Sequence, residues 1–331
     1  MAAKTRYFVL TAAGILTAGL TTGLVASYMG GLPVALSRQA GPEDLAYIPP
    51  DAIAVGYANV QEVMASDLRQ RLRRLQADNP DRQERHDFEA KTGVDVERDI
   101  DAVVAAMLPA GAGGDQDGQP LVLARGRFDQ VRIEGLAREH GGAVTDYEGV
   151  RVIAHTGGEK TMALGFLAPG VVAVGSKEGV QGAIDAKRSG RNVMSNTDLM
   201  RLVGELDGNN AWAVGRFDAM AATTGLAGEL QGKMPTLSWF SAAGHLNGGI
   251  TGTFKAEAKD DEAAKNLRDM LRGVMAMVKM QADSKPEMRV FVDSLQLGGE
   301  GKTVAVGFSM PAEMFDALES LHEKRRPAEV R

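Results

Sequence analysis

Between Arg6 and Arg38 the chain carries no charged side chain. Within that run, Phe8 to Met29 is mostly apolar. As a helix it would span about 33 Å, enough to cross a bilayer. Tyr7 and Tyr28 stand near its ends, where aromatic rings favour the headgroup level. Lys4 and Arg6 precede it, and Glu43 and Asp44 follow soon after. The positive-inside rule then keeps the N-terminus cytoplasmic and places the body outside, in the periplasm. A cleaved secretory signal is the alternative. Its apolar core is usually about 7 to 15 residues, shorter than this one, although Val25-Ala26-Ser27 offers small residues to a peptidase. Gly19, Gly23 and Ser27 share a helix face; this spacing permits close helix approach, but glycine is also simply common in membrane helices.

The remainder reads as globular. Hydrophobic residues are 44% and charged residues 24%, the ordinary folded mix. The net charge of −6 disfavours a polyanion, so no nucleic-acid partner is expected. With no cysteine, disulfides, thiolate metal sites and cysteine nucleophiles are excluded. Glycine is abundant at 40 residues, which predicts many tight turns.

A strand–glycine–cap–helix pattern recurs along the body. Ala52 to Tyr57 reads as a strand, and Asn59 with Glu62 three residues on reads as a helix start. Leu68, Leu72 and Leu75 continue at helical spacing. Strands over 121–128, 171–175, 211–217 and 303–308 precede Asp129, Ser176, Asp218 and Ser309 with Pro311, each predicted to open a helix. Ala-Val-Gly occurs at 54–56, 173–175, 213–215 and 305–307, and Gly-Arg-Phe-Asp at 126–129 and 215–218. The glycines read as points where the backbone leaves the sheet. Unequal spacings between units rule out a solenoid. Residues 103–108 suit helix or strand; we read a strand pairing with 121–128. Strands over 149–155 and 161–167, a glycine-bearing strand over 245–256, and a hairpin of 292–297 with 303–308 complete the reading. Asp260 or Asp261 caps the longest helix, with Leu267, Leu271, Val274 and Val278 as its buried stripe and Pro286 as its end. Short turns between strands make neighbours antiparallel, so the fold class is α+β. It consists of an N-terminal transmembrane helix and two related lobes of mainly antiparallel sheet with packed helices. The boundaries are 1–40 for anchor and tether, 41–190 for the first lobe, 191–322 for the second and 323–331 for a disordered tail. The polar run 189–198 reads as the join.

No motif carries chemistry. Gly301-Lys302-Thr303 lacks the earlier glycine and the following helix of a phosphate loop, and Gly158-Glu159-Lys160-Thr161 fails likewise. The glycine and aspartate loop at 110–118 lacks calcium-loop spacing. His86, His140, His155, His245 and His322 show no metal-ligand spacing. Asp95, Glu97, Asp99 and Asp101 admit a carboxylate pair, but solvated element ends account for them as well. Arg69, Arg71, Arg73 and Arg74, with Arg82 and Arg85, form a basic face open to headgroups, yet acids follow at once. Met270, Met275, Met277 and Met280 crowd the long helix, as a lipid or protein groove or as a loosely packed core. No catalytic, cofactor-binding or metal-ligating residue is assigned, and no cofactor is expected.

Tyr47-Ile48-Pro49-Pro50-Asp51-Ala52, the later Phe88-Glu89-Ala90-Lys91-Thr92-Gly93-Val94-Asp95 with Asp99, and the Gly-Arg-Phe-Asp units together resemble uncharacterised bacterial membrane-anchored extracytoplasmic proteins of unknown function. The resemblance spans about residues 45 to 320 and implies an envelope location without established catalytic residues. Three functional readings follow. The first is a non-catalytic accessory, scaffold or binding protein with an envelope protein partner. The second is a carrier or sensor of an apolar ligand such as a lipid. The third is an enzyme with a dispersed site.

Overall fold

The computed structural model describes residues 42–66, 81–110, 118–157, 160–206, 208–223, 235–246, 249–282 and 286–311. The predicted anchor, Leu68, Leu72 and Leu75, the cluster Arg69 to Arg74, the glycine loop 111–117, Gly158 and Glu159, and everything after Pro311 lie outside the described residues.

The fold is α+β, built on one twelve-stranded sheet in which every neighbouring pair is antiparallel. At its centre β1 (Ala54–Asn59) pairs with β8 (Ala211–Arg216). Outward on one side come β2 (Ile100–Leu108), β3 (Gln119–Gly126), β7 (Val171–Ser176), β6 (Lys160–Ala168), β5 (Val150–Gly157) and β4 (Ala143–Tyr147). Outward on the other come β9 (Leu237–Leu246), β10 (Gly249–Ala258), β12 (Thr303–Pro311) and β11 (Gln296–Gly298).

The two sides repeat one another. Each has two hairpin-paired strands and then a strand that arrives from later in the chain. Register pins the correspondence. The β2–β3 ladder slips at Asp101, between Ile100↔Gly126 and Ala102↔Arg125. The β9–β10 ladder slips at Ser238, between Leu237↔Ala258 and Trp239↔Glu257. A bulge adds one unpaired residue, so superposing the two slips fixes which residues correspond. Val104 then matches Ser241, Leu121 matches Thr253, Leu123 matches Lys255, Arg125 matches Glu257 and Gly175 matches Gly307. The Ala-Val-Gly of β7 falls on that of β12.

Capping residues set the helices. Asn59 accepts the Glu62 N–H at the start of α2 (Val60–Met64), after α1 (Pro42–Leu45). Next come α3 (Asp81–Thr92) and α4 (Val96–Asp99), the latter capped by Asp95. Asp129 caps α5 (Gln130–Glu139) and Ser176 caps α6 (Lys177–Ser189). Gly190 ends α6 at φ 70°, a left-handed C-cap open to glycine. Asn196 caps α7 (Thr197–Gly204). Asp218 lies inside the first turn of α8 (Phe217–Thr223) rather than at its cap. Asp260 caps α9 (Asp261–Ala282).

Several expectations are corrected. Pro286 opens α10 (Pro286–Ser294) instead of merely ending α9; proline suits a first helical turn, where its missing N–H is no loss. Val292 is therefore helical, buried beside β12, and the strand at that place is only β11. β12 runs through Pro311, so no helix opens at Ser309. The 245–256 segment is two strands, β9 and β10, joined at Asn247-Gly248, a hairpin signal passed over in sequence. The run 189–198 is no exposed join: Val193 is fully buried and its N–H donates to the Ile48 carbonyl. The Ala-Val-Gly glycines do not turn the chain off the sheet. A Cβ at Gly175 would stand 2.5 Å from the Pro120 carbonyl oxygen, so this glycine permits close strand approach.

The main core covers one face of the first half. Leu121, Leu123, Ala173 and Val152 pack there with Val180, Ala183 and Ile184 of α6. Leu45, Tyr47 and Ile48 join the same core, so the chain is built into the body immediately after the tether. On the opposite face α5 covers Val122 and Ala124, while α9 covers Ala256 and Val304.

A candidate binding face on the second half

The flank of β9 and β10 beneath α7 forms a cleft. Along β9, Trp239 and Ser241 lie two apart, and Ser241 pairs with Lys255 as Trp239 pairs with Glu257. Alternation in a strand puts these four on one face. Arg201 and Glu205, one helical turn apart on α7, complete the lining.

The charges form a closed network. Arg201 donates to Glu205 at 3.0 Å and to Glu257 at 2.8 Å, and Lys255 donates to Glu205 at 2.9 Å. The bond to Glu257 is the first cause that raises the Arg201 pKa. Glu205 is held below its ordinary range, chiefly by its bond from Lys255 and against the cost of desolvation. Under this network Ser241 is 1% exposed and its hydroxyl has no hydrogen-bond partner. No histidine lines the cleft, and both carboxylates are held by cations. The hydroxyl therefore has no base beside it to make it a nucleophile. The arrangement suits polar contact rather than proton transfer.

A second surface lies on α9. Leu267 is buried as expected, but Val274, read as part of the buried stripe, is 51% exposed. Met270, Met277 and Met280 are exposed too, so these methionines do not form a loose core. The helix is amphipathic about a narrower stripe, because it meets the sheet through Ala264, Leu267 and Leu271.

The residues singled out in sequence are not brought together. Gly301 and Lys302 form the turn before β12, and Thr303 begins that strand. His140 follows α5 with its Nδ1 2.8 Å from the Leu136 carbonyl oxygen; His155 is on β5, His245 on β9 and His86 on α3, while His322 lies outside the described residues. Among the described residues no three histidine or carboxylate side chains group as metal ligands. The Asp95–Asp101 carboxylates hold the chain locally: Asp95 accepts the Glu97 N–H, Asp99 accepts the Asp95 N–H and pairs with Arg127, and Asp101 accepts from Gln61. Arg82 and Arg85 lie on α3.

Sequence reading missed the cleft. Arg201 with Glu205, and Lys255 with Glu257, are visible as helical and strand charge spacings. Only strand register sets them over Ser241.

No family model matches the chain, and no curated protein matches it. Two solved structures are similar. Crystal form I of TP0453 has a TM-score of 0.43 at 12% identity, covering 84% of this chain and 98% of that one. Crystal form IV has a TM-score of 0.42 at 12% identity, covering 90% and 98%. Likeness at this level carries no functional argument.

Proposed function

We propose that this chain is a membrane-anchored, extracytoplasmic accessory or scaffold protein of the cell envelope that binds rather than catalyses. The observation that carries the reading is the uncharged run from Tyr7 to Ser37, behind Lys4 and Arg6 and ahead of Glu43 and Asp44. An apolar stretch of that length, with positive charge on one flank only, is what an N-anchored single-pass protein needs. The burial of Leu45, Tyr47 and Ile48 supports a body whose position follows that of its anchor. In this reading the body is two related lobes, a duplicated unit joined through β1 and β8, and an envelope protein is the partner.

The test is native purification of the tagged chain from its own membranes, with mass spectrometry of what accompanies it. A stoichiometric protein partner supports the reading. A bound lipid moves it to a carrier of an apolar ligand, which the surface methionines of α9 would favour. A chain that leaves the membrane at high pH with nothing attached contradicts the anchored reading.

A further inference from the structure

We infer that the outward stripe of α9 (Met270, Val274, Met277 and Met280) rests on the phospholipid bilayer in which the chain is anchored. This rests on the anchored reading above. The four side chains are 36%, 51%, 62% and 75% exposed, and they fall on the side of the helix away from Leu267 and Leu271, which face the sheet. Between Met270 and Ala282 the charged residues are Arg272 and Lys279, both basic. Long basic side chains at the margin of an apolar stripe lay their stems along it and keep their charge at headgroup level.

Topology brings this stripe toward the anchor. α9 starts beyond the C-terminal end of β10, and α10 follows it and contacts β12 through Phe291 and Phe308. Phe308 pairs with Gly252, near the start of β10, so the C-terminal half of α9 lies toward that end of the sheet. Five antiparallel steps separate β10 from β3, so the same end of the sheet carries the C-terminal end of β3. There Arg125 binds Asp44 of α1, where the chain enters the body from its tether. Five strand spacings are about 24 Å. Residues 30–41 reach at most about 40 Å when extended. A body held by that tether brings this end of the sheet within range of the bilayer surface.

The chain has no cysteine, so a single cysteine can report from the full-length protein. Met277→Cys carries a nitroxide, with Val131→Cys on α5, 82% exposed, as an apolar control. Both are reconstituted in phosphatidylethanolamine–phosphatidylglycerol vesicles. The proposal expects the label at 277 to be relaxed more strongly by oxygen, which partitions into lipid, than by a water-soluble nickel chelate, and the order to reverse at 131. Equal accessibility to nickel at both positions overturns it while leaving the anchor intact. Spin–spin broadening at 277 between two chains assigns the face to a second copy and also overturns it. Failure of the unlabelled full chain to float with vesicles overturns both this proposal and the anchored reading.

Discussion

The two sides of the sheet share a register and differ in what they do with it. In the first half Val104, Leu121, Leu123 and Ala173 are buried, and α6 closes over Leu121 and Ala173. At the matching positions of the second half stand Ser241, Thr253, Lys255 and Ala305, among which Thr253 is exposed and Lys255 half-exposed. One backbone plan thus yields a closed apolar core on one side and a charged cleft on the other. The ladder specifies strand order, and side-chain choice specifies whether a face becomes core or surface. The first half accordingly carries stability, and the second is free to carry recognition.

Truncation should separate the halves most sharply. Leu121→Ala removes a fully buried side chain and is expected to cost about 2–5 kcal/mol. Thr253→Ala, its register counterpart, should stay within about 0.5 kcal/mol. Urea unfolding of both variants measures the contrast, and equal losses would break it. The matched glycines come next. Alanine at Gly175 sets a Cβ against the Pro120 carbonyl and should cost about 1–3 kcal/mol. At Gly307 the nearest atom is the Gly252 carbonyl oxygen at 3.9 Å, so Gly307→Ala should be neutral or stabilising by about 0.5 kcal/mol. Thermal unfolding of the pair reads the difference.

The matched ion pairs give a smaller effect. Asp44 is 5% exposed and Arg125 30%, and their bond is the first cause that raises the Arg125 pKa. Asp44→Ala strands a partly buried cation and should cost about 1–3 kcal/mol after allowance for that exposure. Glu257→Ala breaks a pair with Arg201, which is 47% exposed, and should cost at most about 1 kcal/mol. Chemical denaturation of both variants sharpens or reverses that order. The smallest effect is with pH. The folded pKa of Glu205 lies below its unfolded value, so its contribution is present above the unfolded carboxylate pKa of about 4.3 and is lost as pH falls through the lower folded value. The unfolding midpoint should drop across that acid window, and Lys255→Met should flatten the drop. An unchanged acid profile in that variant would show that the network contributes nothing.

Much of the fold was legible because its signals are local. Asn59, Asp129 and Ser176 cap the helices they were expected to cap, since a short polar side chain before an apolar run satisfies the first free N–H groups wherever the helix packs. The antiparallel pairing of β2 with β3 and of β5 with β6 was readable for the same reason. What was hidden depends on distant partners. The pairing of β1 with β8 joins positions more than a hundred residues apart, and no local pattern announces it. Val274 follows the apolar period of α9 yet is exposed, because period alone does not say how wide a stripe the sheet accepts. Ser241 looks like any strand serine until register sets Lys255 beside it and α7 covers it. For the same reason the cleft had no sequence signature.

The most direct test of the account is the side of the membrane on which the body lies. Val131→Cys in the full-length chain, expressed in cells with a permeabilised outer envelope, is offered a maleimide that does not cross the inner membrane. The account predicts labelling without lysis, on a chain that stays in the membrane fraction. Labelling only after lysis would place the body in the cytoplasm and contradict it.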